Sequence, residues 1–187
     1  MSAKKKELTI SALKKRLEGL EYKELERLLC ELYKSNEAAE QMINLRLLDE
    51  AYAQKLLEQY EERLYNIFFP DNLMRAGFSL RMAKSVVSDF KKICRNDELV
   101  LELKLYFAEC GTEFTNMFGD IDEAFYNAVC SAFHDVAAAA AEDERLFLKW
   151  GDRLKNIIGD MGGIGWGVYD YMEEEYMIIP WVKNKKQ

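Results

Sequence analysis

Histidine, proline and glycine are scarce in this chain. Of its 187 residues, one is histidine, two are proline and ten are glycine. Because proline costs about 3 kcal/mol inside a helix, its scarcity leaves long helices uninterrupted. The single histidine, His134, lacks the second histidine of a Cys/His zinc site and the paired Glu-x-x-His motifs of a ferritin-like di-iron site. We therefore expect no metal and no cofactor.

Long uncharged stretches are also missing. The most apolar run, residues 121–141, is interrupted by Asp122, Glu123 and Asp135. It is therefore predicted to be a core helix, the most buried of the chain, and no membrane partner is expected. The first ten residues, MSAKKKELTI, begin with charge and have no apolar run behind them, which does not fit a signal peptide.

The cysteines show no metal-binding or disulfide pattern. Cys30, Cys94, Cys110 and Cys130 are widely spaced and form no C-x-x-C pair. Each falls on the apolar side of a predicted helix, so we predict small buried hydrophobic residues and a reducing, cytoplasmic compartment.

The charge is unevenly distributed. The net charge is −7, yet residues 1–27 hold eight basic and five acidic residues. A basic end can contact nucleic acid or anionic lipid, but charge runs more often form a solvated helix face. The acidic remainder argues against a nucleic-acid-binding body.

Apolar residues recur at helical spacing along most of the chain, and no strand pattern persists. The sequence predicts an all-α fold: an irregular multi-helical bundle or a short HEAT-like stack of αα-hairpins, with eight to nine helices. We predict a single helical domain over 1–187, with 1–7 and 181–187 disordered. The predicted helices span about 9–19, 22–34, 36–48, 49–68, 79–94, 97–110, 121–141, 143–158 and 167–176.

Three further details concern helix ends. Asp97 and Asp120 are predicted to cap the sixth and seventh helices. Gly111 is predicted to end the sixth helix, and residues 112–118 then form a compact aromatic link or a further short turn.

Two segments resemble a known family. The run GTEFTNMFGDIDEAFYNAV and the run GIGWGVYDYMEEEY near the end resemble a family of small bacterial helical proteins known only as a domain of unknown function. The resemblance covers nearly the whole chain. It implies an all-α fold and supplies no activity, so it assigns no catalytic residue.

The candidate site residues lie on the seventh helix and after the eighth. Asp120 and the carboxylates beside it fit helix capping better than acid–base work. Cys130 and His134 share a helix face, which allows a Cys/His nucleophile pair, although a hydrogen-bonded core or rim histidine is the simpler interpretation. The glycine-rich segment 159–167 lacks the Lys-Ser/Thr pair that ends a P-loop. It is predicted to be a tight chain reversal that lets Trp166 reach the core.

Two functions remain open. The first is a non-enzymatic helical protein that mediates macromolecular interaction or self-association, with a protein partner or a homo-oligomer. The second is a small-ligand binder or enzyme, with a pocket between the 120–141 helix and the glycine-rich 159–167 turn. The candidate ligand-binding residues of that pocket are Asp120, Tyr126, His134, Trp166 and Asp170.

Overall fold

A computed structural model describes residues 8–72 and 77–182, and within these ranges it contains helices and no strand. The all-α prediction is confirmed. The described helices are α1 (Ile10–Leu17), α2 (Tyr22–Ser35), α3 (Glu37–Leu47), α4 (Glu50–Phe68), α5 (Leu80–Ile93), α6 (Asp97–Phe118), α7 (Glu123–Glu142), α8 (Glu144–Asp160) and α9 (Val168–Met177). Residues 1–7 and 183–187, for which disorder is predicted, lie outside the described ranges.

Trp181 and Val182 are described and belong to a short 3-10 turn, although the sequence predicts disorder from residue 181. The indole Nε1 of Trp181 donates a hydrogen bond of 3.1 Å to the carbonyl oxygen of Ala140. This bond attaches the turn to α7.

The chain divides into two compact units, residues 1–48 and 49–187. The single domain expected from the sequence therefore stays a prediction. In the first unit, Thr9 and Asn36 cap α1 and α3, and Glu21 and Glu24 form a capping box at α2. The hydroxyl of Tyr33 donates a hydrogen bond to Asn44 and joins α2 to α3. None of these three helices contains a buried residue.

In the second unit, α6 is the central helix and packs against α4, α5, α7 and α8. Eleven of its 22 residues are buried, against eight of 20 in α7. The prediction that the 121–141 helix is the most buried is therefore wrong. Between α4, α6 and α7 lies an aromatic cluster in which Phe78 and Phe114 rings are 4.7 Å apart and Phe78 and Phe125 rings are 5.6 Å apart.

Gly111 does not end α6. The helix continues to Phe118 and ends at Gly119, whose φ of 87° suits glycine. The predicted link at 112–118 is thus helical. Gly111 has a packing role instead: a Cβ atom there would lie 2.5 Å from Cγ2 of Val129 on α7. The glycine allows the two helices to approach closely.

The caps of α6 and α7 also differ from prediction. Asn96, rather than Asp97, caps α6, and Asp122, rather than Asp120, caps α7. In each case the observed capping residue lies one or two positions from the predicted capping residue. The local sequence indicates that a helix starts here, but it does not identify which residue has the extended backbone geometry of an N-cap.

The cysteines are free, and their burial is mixed. Cys94 and Cys110 are buried as predicted, and Cys130 is partly buried. Cys30 is exposed, so the prediction is wrong at that position. Helical spacing explains the difference, because the apolar face of α2 is formed by Leu25, Leu28 and Leu32, and Cys30 lies well to one side of it.

Among the described residues, no helix combines the length and the apolar character needed to cross a membrane.

Replacing Gly111 by alanine is expected to lower the free energy of unfolding by about 1–3 kcal/mol, because the added methyl group overpacks the interface between α6 and α7. Val129 is fully buried and β-branched, so it has little freedom to move aside. Gly159→Ala is the matched control, since no atom lies within 4 Å of a Cβ at that helical position. Urea unfolding of both variants measures the difference; an unchanged midpoint for Gly111→Ala would contradict the close packing.

Candidate functional site

A cleft of about 470 Å³ opens between α7, the start of α9 and the turn that precedes α9. A candidate pocket is predicted in this region from the sequence. The lining residues are Glu123, Tyr126, Asn127, Cys130, Ser131, His134, Trp166, Gly167, Val168 and Tyr171.

One face of α7 forms a wall of this cleft. Asn127, Cys130, Ser131 and His134 follow the spacing i, i+3, i+4, i+7, so they share a face of the helix. The opposite face is apolar and packs into the core, with Val129, Phe133 and Val136 fully buried. Burial of that face against α6 turns the polar face toward the cleft.

Trp166 stands at the mouth of the cleft in an unusual backbone conformation. Its φ is 66°, and it is the one described non-glycine residue with a positive φ. A bulky residue in this region is strained by about 1–2 kcal/mol. The side chain is 56% exposed, so the prediction that the turn lets Trp166 reach the core is wrong. Met161 and Val168, on either side of the turn, enter the core instead.

Asp120 connects Trp166 to Tyr126. Its Oδ1 accepts hydrogen bonds of 2.8 Å from the Trp166 indole and 2.8 Å from the Tyr126 hydroxyl. Its Oδ2 lies 3.1 Å from the same indole nitrogen. Tyr126 is buried, and its hydroxyl is 2.7 Å from Oγ1 of Thr115 on α6. Asp120 therefore fixes an exposed aromatic ring to the core.

His134 lies farther along the same cleft. Its Nδ1 is 2.7 Å from Oε2 of Glu175 on α9, and its side chain is 49% exposed. It is a hydrogen-bonded rim residue, as the simpler sequence interpretation holds. Asp170 is exposed on α9 and does not line the cleft. Four of the five candidate residues are thus brought together, and Asp170 is not.

The side chains that line the cleft are poorly suited to covalent chemistry. Burial raises the pKa of the Cys130 thiol to about 11, so the thiol is protonated near pH 7 and is a poor nucleophile. Among the described residues, no group of three or more His, Cys, Asp or Glu side chains is arranged to hold a metal ion. The cleft is lined by aromatic rings, hydroxyl and amide groups and one carboxylate, and these groups can bind a ligand without covalent chemistry.

A second groove, of about 650 Å³, lies on the other side of the same α7 ridge. Asn127 and Ser131 line both depressions. Val87, Phe107 and Ala132 give the groove apolar walls, and Lys84, Lys91 and Lys104 surround them. Lys104 forms an ion pair with Asp135 of α7.

The first unit presents a different feature, an exposed apolar face on α2. We call it the leucine stripe, and it consists of Leu25, Leu28, Leu29 and Leu32. The last three are 40%, 53% and 48% exposed, respectively. Leu8, Ile10, Leu13 and Leu20 in and beside α1 are also exposed. Contiguous exposed apolar faces of this kind are uncommon on monomeric proteins.

A network of ion pairs and hydrogen bonds cross-links α6 and α8. Arg153 binds both carboxylate oxygens of Glu109 at 2.7 Å and forms an ion pair with Glu102. The Trp150 indole donates a 2.8 Å hydrogen bond to Glu102. Burial of Glu102 favours its neutral form, but the hydrogen bonds from Trp150 and Arg153 outweigh burial and lower its pKa.

Glu61 of α4 lies at the edge of this network. Its half-buried position, with the negative charge of Glu102 as the next contribution, raises its pKa to about 7. A carboxyl group with such a pKa exchanges protons near neutral pH, which is a property of general acids. The basic residues that line the cleft beside it, Lys149 and Arg153, already form ion pairs with other glutamates. We therefore assign this network a structural role.

Sequence reasoning missed several lining residues. Asn127 and Ser131 follow from the helical spacing around His134, so that signal was available. Glu175, the partner of His134, was not recognisable, because it meets the histidine only through the packing of α9 against α7.

Comparison of the chain with protein-family models, with curated proteins and with solved structures finds no match. The resemblance to an uncharacterised bacterial family stays a prediction.

Replacing Asp120 by alanine is expected to lower the free energy of unfolding by about 1–3 kcal/mol, because the Tyr126 hydroxyl and the Trp166 indole both lose their hydrogen bonds to this carboxyl group. Acrylamide quenching of tryptophan fluorescence should increase, since Trp166 loses its anchor. Asp170→Ala removes a nearby carboxylate to which the Trp166 indole is not hydrogen-bonded, and it is the control. Equal quenching in the two variants would contradict the anchoring role.

Glu61 should make stability depend on pH. Its pKa is raised from 4.5 to about 7 in the fold, so the stability it contributes is fully present below pH 4.5 and is lost as the pH rises to 7. Glu61→Gln should remove this loss of stability. Relative to the wild type, the free energy of unfolding of the variant should be higher at pH 8 than at pH 5 by about 1 kcal/mol, a value reduced for solvent screening of the half-exposed group. Urea unfolding at the two pH values measures it.

The exposed Glu62 of the same helix provides the matched control, Glu62→Gln, which removes the same charge. If both variants changed the pH dependence equally, the effect would reflect net charge and not the environment of Glu61.

Proposed function

We propose that this chain is a non-enzymatic helical protein that mediates macromolecular interaction or self-association through the leucine stripe. The observation that carries the proposal is the exposure of Leu28, Leu29 and Leu32 on a well-formed helix, in a unit whose helices bury no residue. The weak catalytic equipment of the α7–α9 cleft agrees with a binding function.

The energetics favour a partner for the first unit. Its helices have 8, 14 and 11 residues. Isolated helices shorter than about 12–15 residues are marginal in water, and most helical stability in proteins comes from packing of the apolar face. Burial of one leucine side chain contributes about 1.5–3 kcal/mol. Covering the stripe would therefore supply stabilisation that the three helices lack as described.

The borders of the leucine stripe indicate the chemistry of its partner. Glu24 and Glu31 lie one turn before and one turn after Leu28, so one edge of the stripe is acidic. An amphipathic helix with an apolar face and a basic edge complements this surface.

The test is a pair of matched substitutions on α2. Leu28→Glu places a charge in the stripe, whereas Cys30→Glu places the same charge at an exposed position away from it. We expect Leu28→Glu to abolish association and Cys30→Glu to preserve it, because a desolvated charge in an apolar interface is strongly unfavourable. Light scattering with size-exclusion chromatography over a concentration series measures self-association.

A purified partner, once identified by pull-down, would be tested by calorimetry against the same two variants. A protein that stays monomeric, with partner affinity equal for Leu28→Glu and Cys30→Glu, would contradict the proposal. A monomer in which Leu28→Glu alone lowers the melting temperature would contradict it too, since the stripe would then be covered within one chain.

A second candidate function is small-ligand binding in the α7–α9 cleft. The specific observation is that Tyr126, His134 and Trp166 line one cleft of about 470 Å³. A thermal-shift screen over metabolites and metals tests it, with Trp166→Leu as the variant that should lose any shift. A shift of several degrees for one compound would rank this function first.

We propose a cytoplasmic location on the basis of the four cysteines, which are widely spaced and free. Disulfide mapping of the native protein by mass spectrometry tests this, and a native disulfide would contradict it.

A further inference from the structure

The α7–α9 cleft has aromatic side chains at its base and mouth. The buried Tyr126 lies at the base, and the exposed Trp166 and Tyr171 stand at the opening. The Tyr126 and Trp166 ring centroids are 6.2 Å apart with an angle of 32° between the ring planes. Trp166 and Tyr171 therefore present aromatic surface to a ligand in the cleft, and a tryptophan face is the one that attracts a cation most strongly.

The charge around these rings is negative. Glu123 lines the cleft, and no lysine or arginine is among the described lining residues. Asp120 accepts a hydrogen bond from the indole N–H of Trp166. Glu175 is bound to His134, so the one basic group of the lining already has an acidic partner. An anion would meet the Glu123 carboxylate here, whereas a cation would be attracted both by that carboxylate and by the rings.

The backbone holds the Trp166 ring in place without a ligand. A left-handed conformation at a non-glycine residue persists when the surroundings impose it, and such residues concentrate at functional sites. Here the indole bonds to both oxygens of Asp120 and Gly167 also has a positive φ, of 68°. The exposed ring is thereby pre-organised, which lowers the entropy lost on binding.

We propose that the α7–α9 cleft binds an organic cation of the quaternary or methylated ammonium class, held by the Trp166 face and by the charge of Glu123. This inference rests on the small-ligand function given above as the second candidate. The proposal does not depend on the leucine stripe. The cation is either a free small molecule or a methylated lysine side chain of a protein.

The test uses tetramethylammonium chloride as the probe, with neopentyl alcohol as an uncharged probe that has a similar branched shape and one additional hydroxyl group. Calorimetry and Trp fluorescence should give a dissociation constant on the order of 1 mM for tetramethylammonium, and binding at least about tenfold weaker for neopentyl alcohol. Sodium chloride at matched ionic strength corrects for general salt effects.

Three variants locate the binding. Trp166→Leu should weaken tetramethylammonium binding at least about tenfold, and Glu123→Gln should weaken it several-fold because the attraction is partly electrostatic. Tyr65→Leu, which removes an exposed aromatic ring from α4, should bind as the wild type does. Melting temperatures of all three, together with Trp166→Phe, which keeps an aromatic face, separate loss of the ring from loss of the fold.

The source of the cation is distinguished by a ten-residue peptide with one trimethyllysine and its unmethylated twin. Tighter binding of the methylated peptide than of tetramethylammonium identifies a protein side chain, and equal binding identifies a free small cation. Equal affinity for tetramethylammonium and neopentyl alcohol would overturn the proposal, as would unchanged binding by Trp166→Leu. If the thermal-shift screen finds a ligand of another class while ammonium compounds fail, the cleft is a binding site but not for an organic cation.

Discussion

The close contact of α6 with α7 is the constraint on which the second unit depends. At Gly111 there is no room for a side chain, because Val129 of α7 occupies the space where a Cβ would lie. This contact sets the rotation of α7 about its axis. Once Val129, Phe133 and Val136 face α6 and the core, Asn127, Ser131 and His134 must face outward. The polar wall of the cleft is therefore a consequence of core packing, and the cleft needs no special sequence of its own on that side.

Charge is used in two different ways in this unit. Between α6 and α8, Glu102 is buried with an indole and a guanidinium group as partners, so its negative charge is compensated and the helices are held together. Loss of Arg153 would leave this buried carboxylate with Lys149 as its positively charged partner, which is destabilising because a buried charge needs close compensation. Around the α7–α9 cleft, by contrast, Glu123 is exposed and has no cation beside it among the lining residues. The same residue type stabilises the fold in one place and is available to a ligand in the other.

The helices were predictable from apolar spacing, because burial of one face is a local property of the sequence. The end of α6 was not, since glycine has two uses: Gly119 supplies a positive φ, and Gly111 supplies a close approach that depends on Val129, eighteen positions further along the chain. For the cleft, residues on α7 follow from spacing around His134. Asp120 was misread as a cap because its acceptor role depends on Tyr126 and on the distant Trp166. Long-range hydrogen bonds leave no periodic signal.

The exposure of the apolar side chains in the first unit has a thermodynamic consequence. Helices α1–α3 bury no residue, while the leucine stripe remains open. If these helices are fully stabilised only in an assembly, folding and binding form one equilibrium, and the folded fraction follows the free concentration of the partner by mass action. Proteases act on the unfolded fraction, so a shortage of partner would shorten the lifetime of the chain in the cell. The abundance of this protein would then be matched to that of the molecule it binds.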